Sequence, residues 1–239
     1  MSTEAAPGRL PARRVDAAGR PQVDGRAIVA LALPLFVNAA LQAVLNLTDT
    51  WFIGRISAQA VAAVGGVYWL VLGTLLLLGG VGMAVQTFAA QAWGAGDPRR
   101  AARAAWSGLW AAAATAPVFV AIAVSGVWLV PGIGLPESLV GFARAYWEPR
   151  MLGGALSVAL SALLAFFNGI GRVREVLLIN AAVAVLNVGL NEWLMFGLGW
   201  GVAGAAWAST LAVAAGVALA LSRFLSPALR RIADPLHAW

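Results

Sequence analysis

The chain has 239 residues, 61% of them hydrophobic and only 11% charged, with a mean hydropathy of +0.83; soluble domains use roughly 45–50% apolar residues, so a soluble globular domain is excluded. All sixteen basic residues are Arg, giving a net charge of +6, and they fall mostly between and beyond the apolar stretches, as in the loops of a membrane protein rather than on a nucleic-acid-binding face. The absence of Cys and Lys excludes disulfides, thiolate metal sites and a Walker A lysine.

Residues 1–25, MSTEAAPGRLPARRVDAAGRPQVDG, are rich in Pro, Gly and Arg and lack an apolar core. They are expected to form a disordered cytoplasmic tail, not a cleavable signal. Six apolar stretches follow, at about 27–53, 58–93, 101–130, 139–167, 176–198 and 201–224. A helix needs about 20 apolar residues to cross a hydrocarbon core of ~30 Å, so each is expected to span the membrane, the longer ones tilted or protruding. The expected fold class is therefore an all-α integral membrane protein with a six-helix lobe over 26–225. Residues 226–239 mix Leu229 and Ile232 with Arg230 and Arg231 and are expected to lie on the inner leaflet as an amphipathic, linker-like tail. With the N-terminus inside, thirteen arginines are cytoplasmic, and Arg55, Arg144 and Arg150 are outside. The positive-inside rule then places both termini in the cytoplasm, with membrane lipid as the surrounding partner.

In the first span, Asn38, Gln42, Asn46 and Asp49 fall within an arc of about 80°, because each helical residue advances about 100°. Pro34 lies in the same helix, where it removes a backbone hydrogen bond and predicts a kink or hinge. In the fifth span Asn180, Asn187 and Asn191 fall within about 40° of one another. Such stripes must face protein or a water-filled cavity rather than lipid. One explanation is hydrogen bonding between helices. The other is a cavity that binds a proton or sodium ion at Asp49, since one ionisable group among amides loads and releases charge. An interfacial ion pair between Asp49 and Arg55 is a third possibility for the carboxylate.

Glu192 lies off the asparagine stripe beside Trp193 and reads as interfacial, and Glu148, one turn after Arg144, reads as a structural pair. GWGVAG at 199–204 matches a dinucleotide-binding pattern, but with no strand before it the expected structure is a tight turn followed by close helix packing. The single His, His237, leaves no His-based metal cluster or catalytic triad. No catalytic constellation is evident, so an enzyme is not expected.

The run LALPLFVNAALQAVLNLTDTWFIGRIS resembles the first helix of the multidrug and toxic compound extrusion (MATE) transporters. QTFAAQAWGAGDPRRA is similar to their second-to-third helix junction, FFNGIGRVREVLLINAAVAVLNVGLN to the fourth-to-fifth, and GLGWGVAGAAWAST to the start of the sixth, in wording closest to the DinF-like branch. The resemblance covers about residues 26–225. It implies a multi-pass protein of the inner (plasma) membrane, an antiporter using a proton or sodium gradient to export small amphipathic, often cationic compounds, with no other cofactor. By motif the family's acidic coupling-ion residue falls on Asp49 and its fifth-helix asparagine on Asn187. Where many DinF-type relatives carry Asp one turn later, this chain has Asn191, so the implied ion site is Asp49, Asn187 and Asn191, with Asn38, Gln42, Asn46 and Asn180 lining the cavity. Such transporters have twelve helices in two lobes, and this chain supplies one. A second lobe is therefore implied, from a longer gene product or from a homodimer. The alternatives are a truncated lobe that does not transport, and a lipid-linked oligosaccharide flippase of the same superfamily. No nucleic-acid partner is implied.

Overall fold

A computed structural model describes residues 13–15, 21–23, 25–229 and 234. Two three-residue strands, β1 (Arg13–Val15) and β2 (Pro21–Val23), pair antiparallel with Arg13 opposite Val23. The β-branched Val15 and Val23 suit this pleated ladder. It stands where the sequence predicts a tail without structure; the other residues of 1–24 lie outside the described residues.

Helix α1 (Gly25–Gly54) continues through Pro34, and its 30 residues reach about 45 Å, enough to cross a bilayer. Helices α2 (Ala58–Gly79) and α3 (Val81–Gly94) form one long apolar stretch interrupted at Gly80. Helix α4 (Pro98–Gly132) follows a tight connection in which Gly96 takes a positive φ of 75°. Its start is fixed by the Asp97 side chain, which accepts from the Arg100 N–H at 2.9 Å, and by Pro98, whose missing N–H costs nothing at that position. Helices α5 (Glu137–Leu152) and α6 (Gly154–Gly169) meet at Gly153 with a bend of 49°. Helix α7 (Val173–Asn191) widens into a π-helical turn over Glu192–Gly197, and α8 (Gly201–Phe224) closes the bundle.

Among the described residues, Ala58–Gly94, Pro98–Gly132, Val173–Gly197 and Gly201–Phe224 are long and apolar enough to cross a membrane, and the bent α5–α6 pair makes a fifth such stretch. Each of the six apolar stretches in the sequence coincides with one of these or with α1. Large apolar side chains point outward, with Leu77, Met83 and Val185 at 81%, 80% and 75% exposure; in water such a surface promotes aggregation, whereas in lipid it is the favoured one.

The interior is close-packed through small residues. Helix α6 lies against α3, α4 and α8, while α7 lies between α1 and α8. A side chain at Gly108 would meet Val85 and Ala162, and one at Gly82 would meet Ser161. One core cluster centres on Phe166, Phe167 and Phe224, the other on Phe119, Trp147 and Met151. Leu229 is fully buried in the first cluster, and Asp234 accepts an ion pair from Arg99 at 3.2 Å. The predicted placement of 226–239 on the inner leaflet otherwise falls outside the described residues.

Candidate functional site

The polar stripes of α1 and α7 face one another. Asn180 donates its side-chain amide to Asn38, and one end of the groove is closed by a ring of hydrogen bonds around Asp49. Asn191 Nδ2 donates to Asp49 Oδ1 at 2.7 Å and to Asn187 Oδ1 at 3.0 Å. Asn187 Nδ2 donates to Ser209 Oγ at 3.2 Å, and Ser209 Oγ donates to Asp49 Oδ2 at 3.1 Å. The i, i+4 spacing of Asn187 and Asn191 stacks them on one face of α7, and α8 brings Ser209 from the other side. Asn180, Asn187 and Asn191 are 3%, 2% and 0% exposed. The asparagine stripe is therefore an interior face, as its periodicity predicts.

One atom in this ring is unsatisfied: Asn191 Oδ1 is buried without a hydrogen-bond partner. Buried acceptors are almost always paired, so an orphan beside a carboxylate is a place for a missing donor or cation. Asp49, Asn187, Asn191 and Ser209 offer hard oxygen atoms, the donor class that alkali and alkaline-earth ions take. Among the described residues no group of three or more His, Cys, Asp or Glu side chains is arranged to hold a metal ion.

Asp49 and Asn46 line two cavities. A larger one, about 610 Å³, is lined by Asn38, Gln42, Asn46, Asp49 and Asn180 among others, so the cavity-lining residues predicted from the sequence meet there. A smaller one of about 220 Å³ is lined by Tyr68 and Tyr146 as well.

Two site residues were not anticipated. Ser209 sits in GVAGAAWAST, where a small hydroxyl residue reads as packing. Arg150 is counted from the sequence among the outer arginines, yet it lines the larger cavity with Asp49. A signal for it existed, because Arg150 falls inside the fourth apolar stretch, one turn after Tyr146 on the same helix face.

Two pairings considered from the sequence are not formed. Arg55 does not neutralise Asp49: its guanidinium bonds Glu192 at 2.9 Å and lies over the Phe196 ring, 4.3 Å from the centroid. The π-helical turn places Glu192 and Phe196 together at the bundle end, where the exposed Arg55 meets both. Glu148 and Arg144 line a small cavity with Trp147, but among the described residues they form no ion pair. Both side chains are solvent-exposed, so water competes for each charge.

GWGVAG behaves as predicted. Gly199 and Gly201 take φ of 69° and 54° in the turn, and a side chain at Gly204 would meet the Leu194 and Met195 backbone at 2.9 Å. Only glycine permits that approach.

The MatE family model matches residues 34–193. The probable multidrug resistance protein NorM of Acinetobacter baylyi is 28% identical over 166 residues, which cover 70% of this chain and 37% of that relative. The DNA damage-inducible protein F of Escherichia coli is 30% identical over 191 residues, 78% of this chain and 41% of that relative. Among solved structures, MATE in complex with MaL6 superposes with a TM-score of 0.77 at 23% identity, covering 83% of this chain and 44% of the other. The chain thus spans about two-fifths of the length of the curated relatives it matches.

Proposed function

Because this chain belongs to the MatE family, that of the multidrug and toxic compound extrusion transporters, we propose that it supplies one lobe of a proton- or sodium-coupled antiporter that exports small amphipathic compounds across the inner membrane. The observation that carries this reading is the ring around Asp49 with its unpartnered Asn191 Oδ1. A proton or a sodium ion held by Asp49 with Asn187, Asn191 and Ser209 would supply what the ring lacks.

The site is placed for coupling. Asp49 lines both cavities, so a change in its charge would alter the hydration of both. Cation binding and release would then shift the populations of inward- and outward-facing arrangements, with α1 bending at Pro34. A ligand shifts such an equilibrium only by its difference in affinity for the two states. Here that difference would arise if one state keeps the α1–α7–α8 ring and the other opens it.

A complete pathway would need a second lobe, supplied by further sequence or by a second copy of the chain. The short span relative to the matched relatives supports this, and it keeps open the reading of a lobe that binds cations without transporting.

The test is efflux from proteoliposomes holding many copies of the chain and a trapped fluorescent amphiphile, with proton and sodium gradients imposed in turn. Dye loss should follow one gradient in the wild type and vanish in Asp49→Asn. Gradient-driven loss at the wild-type rate in Asp49→Asn would remove Asp49 from coupling.

A further inference from the structure

The larger cavity is lined by a second charge besides Asp49. Arg150 lies in the last turn of helix α5, just before the chain turns by 49° at Gly153 into α6. Its position in the last turn of α5 suits a cation, since the helix dipole is negative there. Arg150 shares the cavity with Asp49, yet among the described residues the two charges form no ion pair. Arg150 Nε is buried with no hydrogen-bond partner.

A guanidinium that lines a cavity without an ion-pair partner defines a ligand by complement. The guanidinium takes an anionic oxygen. The charge balance points the same way. With Asp49 ionised the cavity's two charges cancel; once Asp49 has bound its cation, Arg150 alone sets the sign, and a purely cationic compound is repelled. We propose that Arg150 anchors an anionic group, such as a carboxylate, sulfonate or phosphate, of the compound this lobe carries. This rests on the transport reading above for what becomes of the ligand, but not for its binding.

The test separates the two. Binding of dansylglycine, which ends in a carboxylate, and of dansylcholine, which ends in a quaternary ammonium, is followed by fluorescence anisotropy on the purified 239-residue chain in uncharged detergent. The wild type should bind dansylglycine more tightly. Arg150→Gln should weaken dansylglycine by about tenfold or more, the loss expected for a charge-assisted hydrogen bond, and leave dansylcholine unchanged or tighter. Arg150→Lys, which keeps the charge, should retain part of the preference and guards against a variant that merely misfolds. Equal binding of dansylglycine to wild type and Arg150→Gln, or preference of the wild type for dansylcholine, would overturn the proposal.

Repeating the assay in nanodiscs of phosphatidylcholine with and without phosphatidylglycerol distinguishes the source of the anion. Displacement of dansylglycine by phosphatidylglycerol in the wild type, absent in Arg150→Gln, assigns the group to a lipid headgroup. Binding insensitive to phosphatidylglycerol assigns it to a water-soluble amphiphile. Should dansylglycine bind through Arg150 while no gradient drives efflux, the transport reading fails and this one stands.

Discussion

Asp49 keeps its place among apolar helices because α7 and α8 each bring it a donor. A carboxylate toward the bilayer interior costs roughly 2.5–3.5 kcal/mol on insertion scales, while hydrogen bonds to charged groups contribute about 1.5–3 kcal/mol each. Two such bonds, from Asn191 at 2.7 Å and Ser209 at 3.1 Å, offset the cost, and the ring through Asn187 orients both donors. Since the members act on one carboxylate, their removal should not add. Asn191→Leu and Ser209→Ala are each expected to lower stability by about 1–3 kcal/mol, and the double variant should depart from their sum by at least about 0.5 kcal/mol. Equilibrium unfolding in mixed detergent measures this, and strict additivity would mean that the ring is not a unit. The polar stripes were legible because helical periodicity projects Asn38 to Asp49, and Asn180 to Asn191, onto single faces. Ser209 was not, because its role depends on how α8 docks against α7. The place of Arg150 in the cavity was not legible either, because counting charges by loop says nothing of where a side chain packs.

The elements that build the site are those that depart from regular helix. Helix α7 widens into a π-helical turn at Glu192, directly after Asn191, and π-helical turns recur where side chains need re-aiming. Gly204 of α8 packs on that turn, so an added methyl there would meet the Leu194 and Met195 backbone, whereas one at Gly189 would meet nothing within 4 Å. Gly204→Ala is therefore expected to destabilise the protein by about 1–3 kcal/mol, the usual cost of overpacking. Gly189→Ala should be neutral or stabilising by up to about 1 kcal/mol, through helix propensity alone. Thermal unfolding of the two variants side by side checks the pair, and equal effects would contradict close α7–α8 packing. The six apolar stretches and the turn at 199–204 were readable from composition and glycine spacing. The bend between α5 and α6 and the π-helical turn were not, since both arise from packing; Thr210, for example, donates to the Pro149 carbonyl oxygen at 2.9 Å beside the bend.

At the scale of the molecule, a lobe matching about two-fifths of its relatives' length contains a closed polar ring, two cavities that meet at Asp49 and a second charge facing the larger one. Its membrane nature and family resemblance were visible in hydropathy and in motif wording. The separation of its two buried charges, Asp49 and Arg150, needed three dimensions. The central claim is that Asp49 is where the coupling cation binds, and it can be tested on the chain without transport. Infrared difference spectra of the lipid-reconstituted protein would be recorded between high and low pH, and between sodium-free and sodium-containing buffer. The wild type should show a protonated-carboxyl band on acidification, or a shifted carboxylate band on adding sodium, that is missing from Asp49→Asn. Superimposable difference spectra from the two proteins under both conditions would contradict the account.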